Sequence, residues 1–193
     1  LNGIAYTSHS SGYGIAVGDN GTILRSTDKG NSWIQIKVPD AVSGINLNSV
    51  AANPSSNAAE SFQFVAVGDN GTILYSSDIG QSWIVKSSGT TADLNGVVRS
   101  ANGYWYAVGN EGTILYSSNG GLWSADPVLT SEDFTAITVS GEGTSAYGQT
   151  CWATTRQGSI FHRQTTLVYN ALPVLNIDED FTDPENERGS GEK

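Results

Sequence analysis

Short apolar runs recur along the chain, rich in Val, Ile, Leu and aromatic residues and separated by glycine or small polar side chains. In the first repeat they predict four strands, at about 1–7, 12–18, 21–27 and 32–38. No segment carries an apolar stripe of helical period long enough to make a useful helix. Asp19-Asn20-Gly21, between the second and third strands, predicts a tight hairpin, because such a turn needs positive φ and glycine adopts it without strain. Gly30 has the same part in the next hairpin, where Asp28 is placed to accept bonds from turn amides and Trp33 to fold back over the turn.

This pattern is stamped along the chain. Val17-Gly-Asp-Asn-Gly-Thr-Ile-Leu24 returns at Val67 to Leu74, and as Val-Gly-Asn-Glu-Gly-Thr-Ile-Leu at Val108 to Leu115. A worn copy, Thr-Thr-Arg-Gln-Gly-Ser-Ile-Phe, runs from Thr154 to Phe161. The matching turn glycines are Gly21, Gly71, Gly112 and Gly158, at steps of 50, 41 and 46 residues. A second motif follows the first three copies: Ser26-Thr-Asp-Lys-Gly-Asn-Ser-Trp33, Ser76-Ser-Asp-Ile-Gly-Gln-Ser-Trp83 and Ser117-Ser-Asn-Gly-Gly-Leu-Trp123. Its turn positions are Asp28, Gly30 and Trp33, then Asp78, Gly80 and Trp83, then Asn119 and Trp123 in a version one residue shorter. A third signature opens each unit: Leu1-Asn-Gly-Ile4, Leu47-Asn-Ser-Val50, Leu94-Asn-Gly-Val97 and Phe134-Thr-Ala-Ile137.

Phased motifs at this period mean four copies of one supersecondary unit. Four-stranded units that cannot bury both faces alone stack around an axis, so the fold expected is an all-β propeller of four four-stranded antiparallel blades. A β-solenoid has much shorter repeats. The blades run at about 1–44, 45–93, 94–133 and 134–172, with Thr166 to Asn170 as the last strand and 173–193 as an acidic tail or linker. The ring either closes with four blades, belongs to a larger ring in a longer protein, or is completed as eight blades by a second chain. An open arc leaves a sheet face and edge uncovered.

Ser-x-Asp-x-Gly-x-x-Trp resembles the Asp-box, or bacterial neuraminidase repeat. Together with Val-Gly-Asp-x-Gly-Thr-Ile-Leu it is similar to the photosystem II assembly/stability-factor type of propeller repeat, over about residues 1–172. That resemblance implies a propeller, more often of about seven blades, with the boxes as structural staples. It leaves function open, since this repeat is widespread in exported bacterial proteins unrelated to photosynthesis.

Composition narrows the functions. The chain has 193 residues, 19 acidic against 9 basic, for a net charge of −10, which argues against nucleic-acid or anionic-membrane partners. No apolar stretch has the length of a membrane span, so no membrane insertion is expected. The chain starts at Leu1 with no visible leader, which suggests either a removed signal or a piece of something longer. Cys151, the single cysteine, reads as a buried small apolar residue in a strand. His9 and His162 lack helpers at zinc-ligand spacing, so no metal is expected in the propeller. The tail's Asp178, Asp180 and Asp183 loosely resemble a thrombospondin type 3 calcium loop without its mid-loop glycine; a solvated acidic tail is the plainer account. Asn20 and Asn70 match the glycosylation pattern, which their hairpin role explains.

A sialidase-like hydrolase needs an arginine triad and converging carboxylates, about 5–9 Å apart for acid/base work. Arg25, Arg99, Arg156, Arg163 and Arg188 are scattered, and Glu132, Asp133 and Glu142 lie adjacent or isolated in loops, so no catalytic residue is expected. Binding fits better. Tyr104, Trp105 and Tyr106 are aromatic on alternate sides of one strand and offer either inter-blade packing or a contact patch. Asn2, Asn48 and Asn95 stand on each blade's first strand, either ringing a channel or making a repeated structural bond. The insert Asn53 to Ser61 marks blade two for recognition. The function expected is a non-catalytic binding or structural module in an exported, cell-surface or virion assembly, with a protein or glycan partner and without cofactors. The alternative is a photosystem-assembly-type chaperone, for which a basic patch would be expected.

Overall fold

The computed structural model describes residues 1–7, 12–53, 62–101, 103–128, 130–140 and 149–165. Blade one comprises β1 (Gly3–Tyr6), β2 (Gly14–Gly18), β3 (Thr22–Ser26) and β4 (Ile34–Gln35). Blade two comprises β5 (Leu47–Ala52), β6 (Phe64–Gly68), β7 (Thr72–Ser76) and β8 (Ile84–Lys86). Blade three comprises β9 (Leu94–Arg99), β10 (Trp105–Gly109), β11 (Ile114–Ser117) and β12 (Ser124–Ala125). Blade four holds β13 (Phe134–Ser140), β14 (Gln149–Thr155) and β15 (Ile160–Thr165); the fourth strand expected at Thr166 to Asn170 lies outside the described residues, as do His9 and the tail with Asp178, Asp180 and Asp183. Each sheet is an antiparallel meander in chain order. The one helical turn among the described residues, a 3-10 turn at Asp40–Val42, tucks Val42 under the link between blades one and two.

The hairpins follow their turn chemistry. Asn20 and Gly21 have φ of 55° and 66°, Asn70 and Gly71 56° and 65°, and Glu111 and Gly112 59° and 67°, which is the paired positive-φ turn whose twist suits a two-residue hairpin. The fixed register aligns Ile4 with Ala16 and Ala16 with Leu24 across blade one, so these three share a face.

The first strands β1, β5, β9 and β13 pack each on the next, which sets the sheets side by side about an axis. Successive blades bury apolar faces against each other. Ile15, Val17 and Ile23 of blade one meet Val50, Ala66, Leu74 and Trp83 of blade two. Val65, Val67 and Ile73 of blade two meet Leu94, Val97, Trp105 and Leu115 of blade three, and Val108 and Ile114 meet Phe134, Ala153 and Phe161 of blade four. Every residue of β2, β6 and β10 is buried: each lies between two strands of its own sheet, and β6 and β10 also have a neighbouring blade over both faces.

β13 does not pack on β1 in the way each first strand packs on the next. Among the described residues the four blades therefore form an arc, and the closed four-bladed ring is not the arrangement adopted.

Candidate functional site

The Ser-x-Asp turns are closed hydrogen-bond cages. Asp28 Oδ1 accepts from Ser26 Oγ at 2.9 Å and from the Ser32 amide at 2.9 Å, while Oδ2 accepts from Ser32 Oγ at 2.6 Å. Ser26 Oγ accepts in turn from the Gly30 amide at 2.9 Å, and Trp33 Nε1 donates to the Gly30 carbonyl at 3.1 Å. Asp78 repeats the cage with Ser76, Ser82 and Gly80. In blade three Leu122 replaces the second serine, so one acceptor oxygen suffices: Asn119 Oδ1 takes the Gly121 and Leu122 amides at 2.8 and 3.0 Å. Gly120 has the turn-glycine position there, and its carbonyl accepts from Trp123 Nε1 at 3.0 Å. The interchange of Asp and Asn thus follows from the residue before the tryptophan.

The bonds from Ser32, then Ser26, hold the Asp28 carboxyl below the ordinary value of 3.8. Burial pushes Asp78 up, but the bonds from Ser82 and Ser76 outweigh it and leave this carboxyl lowered as well. A depressed folded-state value means that the cages' stabilisation is complete above the unfolded value and fades as pH falls through the folded one. Melting temperature should therefore drop as pH is lowered through the range below 3.8. Asp28→Asn combined with Asp78→Asn should start lower at neutral pH and fall less steeply in acid. Equal acid slopes for the two proteins, measured by calorimetry, would refute the assignment.

The asparagines of the first strands form a second repeated device. Asn2 Nδ2 donates to Asp19 Oδ1 of its own hairpin at 2.8 Å and to the Leu47 carbonyl of the next blade at 3.1 Å. Asn48 joins Asp69 Oδ1 at 2.9 Å to the Leu94 carbonyl at 3.0 Å. Asn95 joins Asn110 Oδ1 at 2.8 Å to the Phe134 carbonyl at 2.7 Å. Both amide hydrogens of each are occupied within the protein, so these side chains bracket neighbouring blades rather than offer donors to a ligand in a channel. Thr135 stands at this position in blade four and donates instead to Thr154 of its own sheet.

The aromatic run on β10 divides. Of the two roles weighed for Tyr104, Trp105 and Tyr106, inter-blade packing or a contact patch, Trp105 and Tyr106 take the first and are buried between blades. A strand covered on both faces cannot present either one. Only Tyr104, 40% exposed and just ahead of the strand, faces outward. Its turn is fixed by the Ser100 amide and hydroxyl, both donating to the Tyr104 carbonyl. Beside it Arg99 reaches from blade three to Asn53 Oδ1 of blade two, with its guanidinium 5.4 Å from the Trp105 ring centre. Tyr13 and Phe62, whose ring centres lie 5.4 Å apart, precede β2 and β6 at the same end of the arc. That end gathers the connections that differ most in length between blades, including the start of the insert at Asn53; residues 54–61 lie outside the described ones.

The other candidates do not converge. Arg25 donates through Nε to the Ile79 carbonyl at 2.6 Å, inside the interface of blades one and two. Arg156 sits in the hairpin of blade four. The Glu132 carboxylate, a loop carboxylate weighed for acid/base work, accepts from Thr155 Oγ1 at 2.5 Å and Ser159 Oγ at 3.2 Å, which ties the worn hairpin of Gly158. His162 lies within β15 rather than at a strand end, its ring centre 5.0 Å from that of Trp152. Cys151 and Tyr106 line a small apolar cleft between blades three and four. Among the described residues no three His, Cys, Asp or Glu side chains gather as a metal would need.

The arc of meander sheets, phased boxes and inter-blade brackets defines a β-propeller of the BNR repeat type. A family model, described as photosynthesis system II assembly factor YCF48, matches residues 2–174, and the chain belongs to that family. No curated protein sequence matches it significantly. A structure of YCF48 bound to D1 peptide is similar in fold, with a TM-score of 0.58 at 20% identity over 84% of this chain and 52% of the other. The chain thus spans about half the length of that protein. YCF48 from Cyanidioschyzon merolae aligns with 16% identity and a TM-score of 0.48, covering 92% of this chain and 71% of its own. A GH74 enzyme from Niastella koreensis aligns at 18% and 0.38, covering 84% and 30%.

Proposed function

We propose that this chain is a non-catalytic propeller of the assembly-factor kind, which receives a polypeptide segment of a partner at the loop end marked by Arg99 and Tyr104. The observation that carries the reading is the family match across residues 2–174. It favours the assembly-factor alternative over a cell-surface structural module, and the YCF48 structure with a D1 peptide supplies the ligand class by analogy. Arg99, propped by Asn53 and Trp105, is a preorganised donor for a carboxylate or a backbone carbonyl, and Tyr104 adds a rigid aromatic surface. The non-catalytic reading is supported by Arg25 and Glu132 being bonded within the fold and far apart in the chain's architecture.

Among the described residues, Lys37 and Lys86 do not gather into the basic patch expected of such a chaperone. Lys37 pairs with Asp40 on the surface and Lys86 lies over Tyr75, 5.6 Å from its ring centre. With 19 acidic residues against 9 basic, the partner segment that suits this surface is neutral or basic. An exported location belongs to the same proposal and rests on the repeat's wide use in exported proteins. Panning a peptide-display library on the chain should yield binders whose affinity Tyr104→Ala or Arg99→Gln lowers by about tenfold, the scale of an interface anchor. Recovery of no peptide, or binding only on a glycan array, would overturn the reading.

A further inference from the structure

Six Asn-Gly pairs occur in the sequence, at Asn2, Asn20, Asn70, Asn95, Asn102 and Asn119, and all but Asn102 lie among the described residues. The dipeptide is chemically labile, because a glycine amide, with no Cβ to obstruct it, can attack the asparagine side chain before it. In a folded chain the attack needs two groups at liberty: the side-chain amide that receives it and the glycine N–H that must lose its proton. Asn2 and Asn95 spend both amide hydrogens on the brackets between blades. Asn119 Oδ1 is held by two turn amides, and the Gly120 N–H donates to Ser117 Oγ at 2.9 Å. At Asn20 the following Gly21 N–H donates to the Ile45 carbonyl at 2.6 Å. Asn70 differs from all of these. Its side chain is exposed and makes no hydrogen bond among the described residues, and the Gly71 N–H has no acceptor there either.

We propose that Asn70 is a self-modification site of the folded protein, converted in water to aspartate and isoaspartate. The Gly71 nitrogen gives its proton to solvent base and bonds to Asn70 Cγ; the bond from Cγ to Nδ2 breaks, and ammonia leaves with a proton from water. Water then adds to either carbonyl of the cyclic imide and opens it to one acid or the other. Asn20 is the internal reference. Val17 to Leu24 and Val67 to Leu74 are the same eight residues, and the turns match, with φ of 55° and 66° against 56° and 65°. The difference lies in the link behind each hairpin, which supplies the Ile45 carbonyl to Gly21 and no bond to Gly71. Surrendering that one hydrogen bond slows the attack at Asn20 by about tenfold. Either product sets a new carboxylate beside Asp93, whose Oδ1 accepts the Asn70 amide at 2.9 Å and ties the blade-two hairpin to the start of blade three. Like charges at this distance repel, so the seam between the two blades loosens as the reaction proceeds.

The intact folded chain, held at mildly alkaline pH, should gain the mass of an amide-to-acid exchange at Asn70 about tenfold faster than at Asn20, as read by fragmentation mass spectrometry of its digest. In concentrated urea the two should convert at one rate, because their surrounding sequences coincide. Asn70→Asp, which installs one product outright, should melt below the parent. Equal rates at Asn20 and Asn70 in the folded chain, a difference that survives urea, or an Asn70→Asp protein that melts with the parent would each overturn the proposal.

Discussion

Gly71→Ala should destabilise the protein by about 3 kcal/mol, the sum of left-handed strain and a forced contact. At φ of +65° any side chain is strained, and a Cβ here would strike the Thr90 carbonyl of the link to blade three. Neither group can withdraw, since Gly71 is tied to the hairpin and the carbonyl of Thr90 accepts from Ser88 Oγ at 3.0 Å. Gly89 is the control: its φ is +78°, but a Cβ added to it meets nothing within 4 Å. Gly89→Ala should cost about 1 kcal/mol, the strain alone. Urea denaturation of the two variants measures the difference directly. If both lose the same stability, the contact with Thr90 has no weight and the account of the hairpin glycines fails.

Trp105→Ala should cost about 3–5 kcal/mol, the range for emptying a large aromatic site. The residue is fully buried between blades two and three among Val65, Val67, Ile73 and Leu115. Its indole Nε1 has no acceptor among the described residues, so Trp105→Phe gives up packing volume but also removes an unsatisfied donor, and should cost well under half as much. Arg99 lies against the same ring, so Trp105→Ala should also weaken peptide binding at the loop end, whereas Tyr104→Ala should weaken binding and leave the melting temperature unchanged. A Trp105→Ala protein that melts with the parent would remove the centre of the proposed core.

The turns were legible because their chemistry is local. Asn-Gly at positive φ and a serine two residues before an aspartate each specify geometry within a few positions, and four phased copies leave little freedom in the architecture. The aromatic strand was less legible for a reason peculiar to stacked sheets. Alternation of apolar and polar residues marks a strand with one wet face, but β6 and β10 are covered on both, so the run of β10 does not tell Trp105 and Tyr106 from Tyr104. Arg99 and Asn53 are 46 positions apart and meet only because adjacent blades bring them together, which no local spacing announces. Glu132 was a comparable case. Its partners Thr155 and Ser159 flank the worn hairpin, and a Thr-x-x-Gly-Ser turn facing a loop carboxylate is the signal that would have found it.

The asparagine brackets reach one blade onward and no further, so each sheet is coupled to its immediate neighbours and to nothing across the axis. Cohesion of this sort behaves as a linear chain of links. Thermal agitation would peel the terminal sheets away before disturbing the middle pair, and amide protons of β6 and β10 would be the last to trade with solvent.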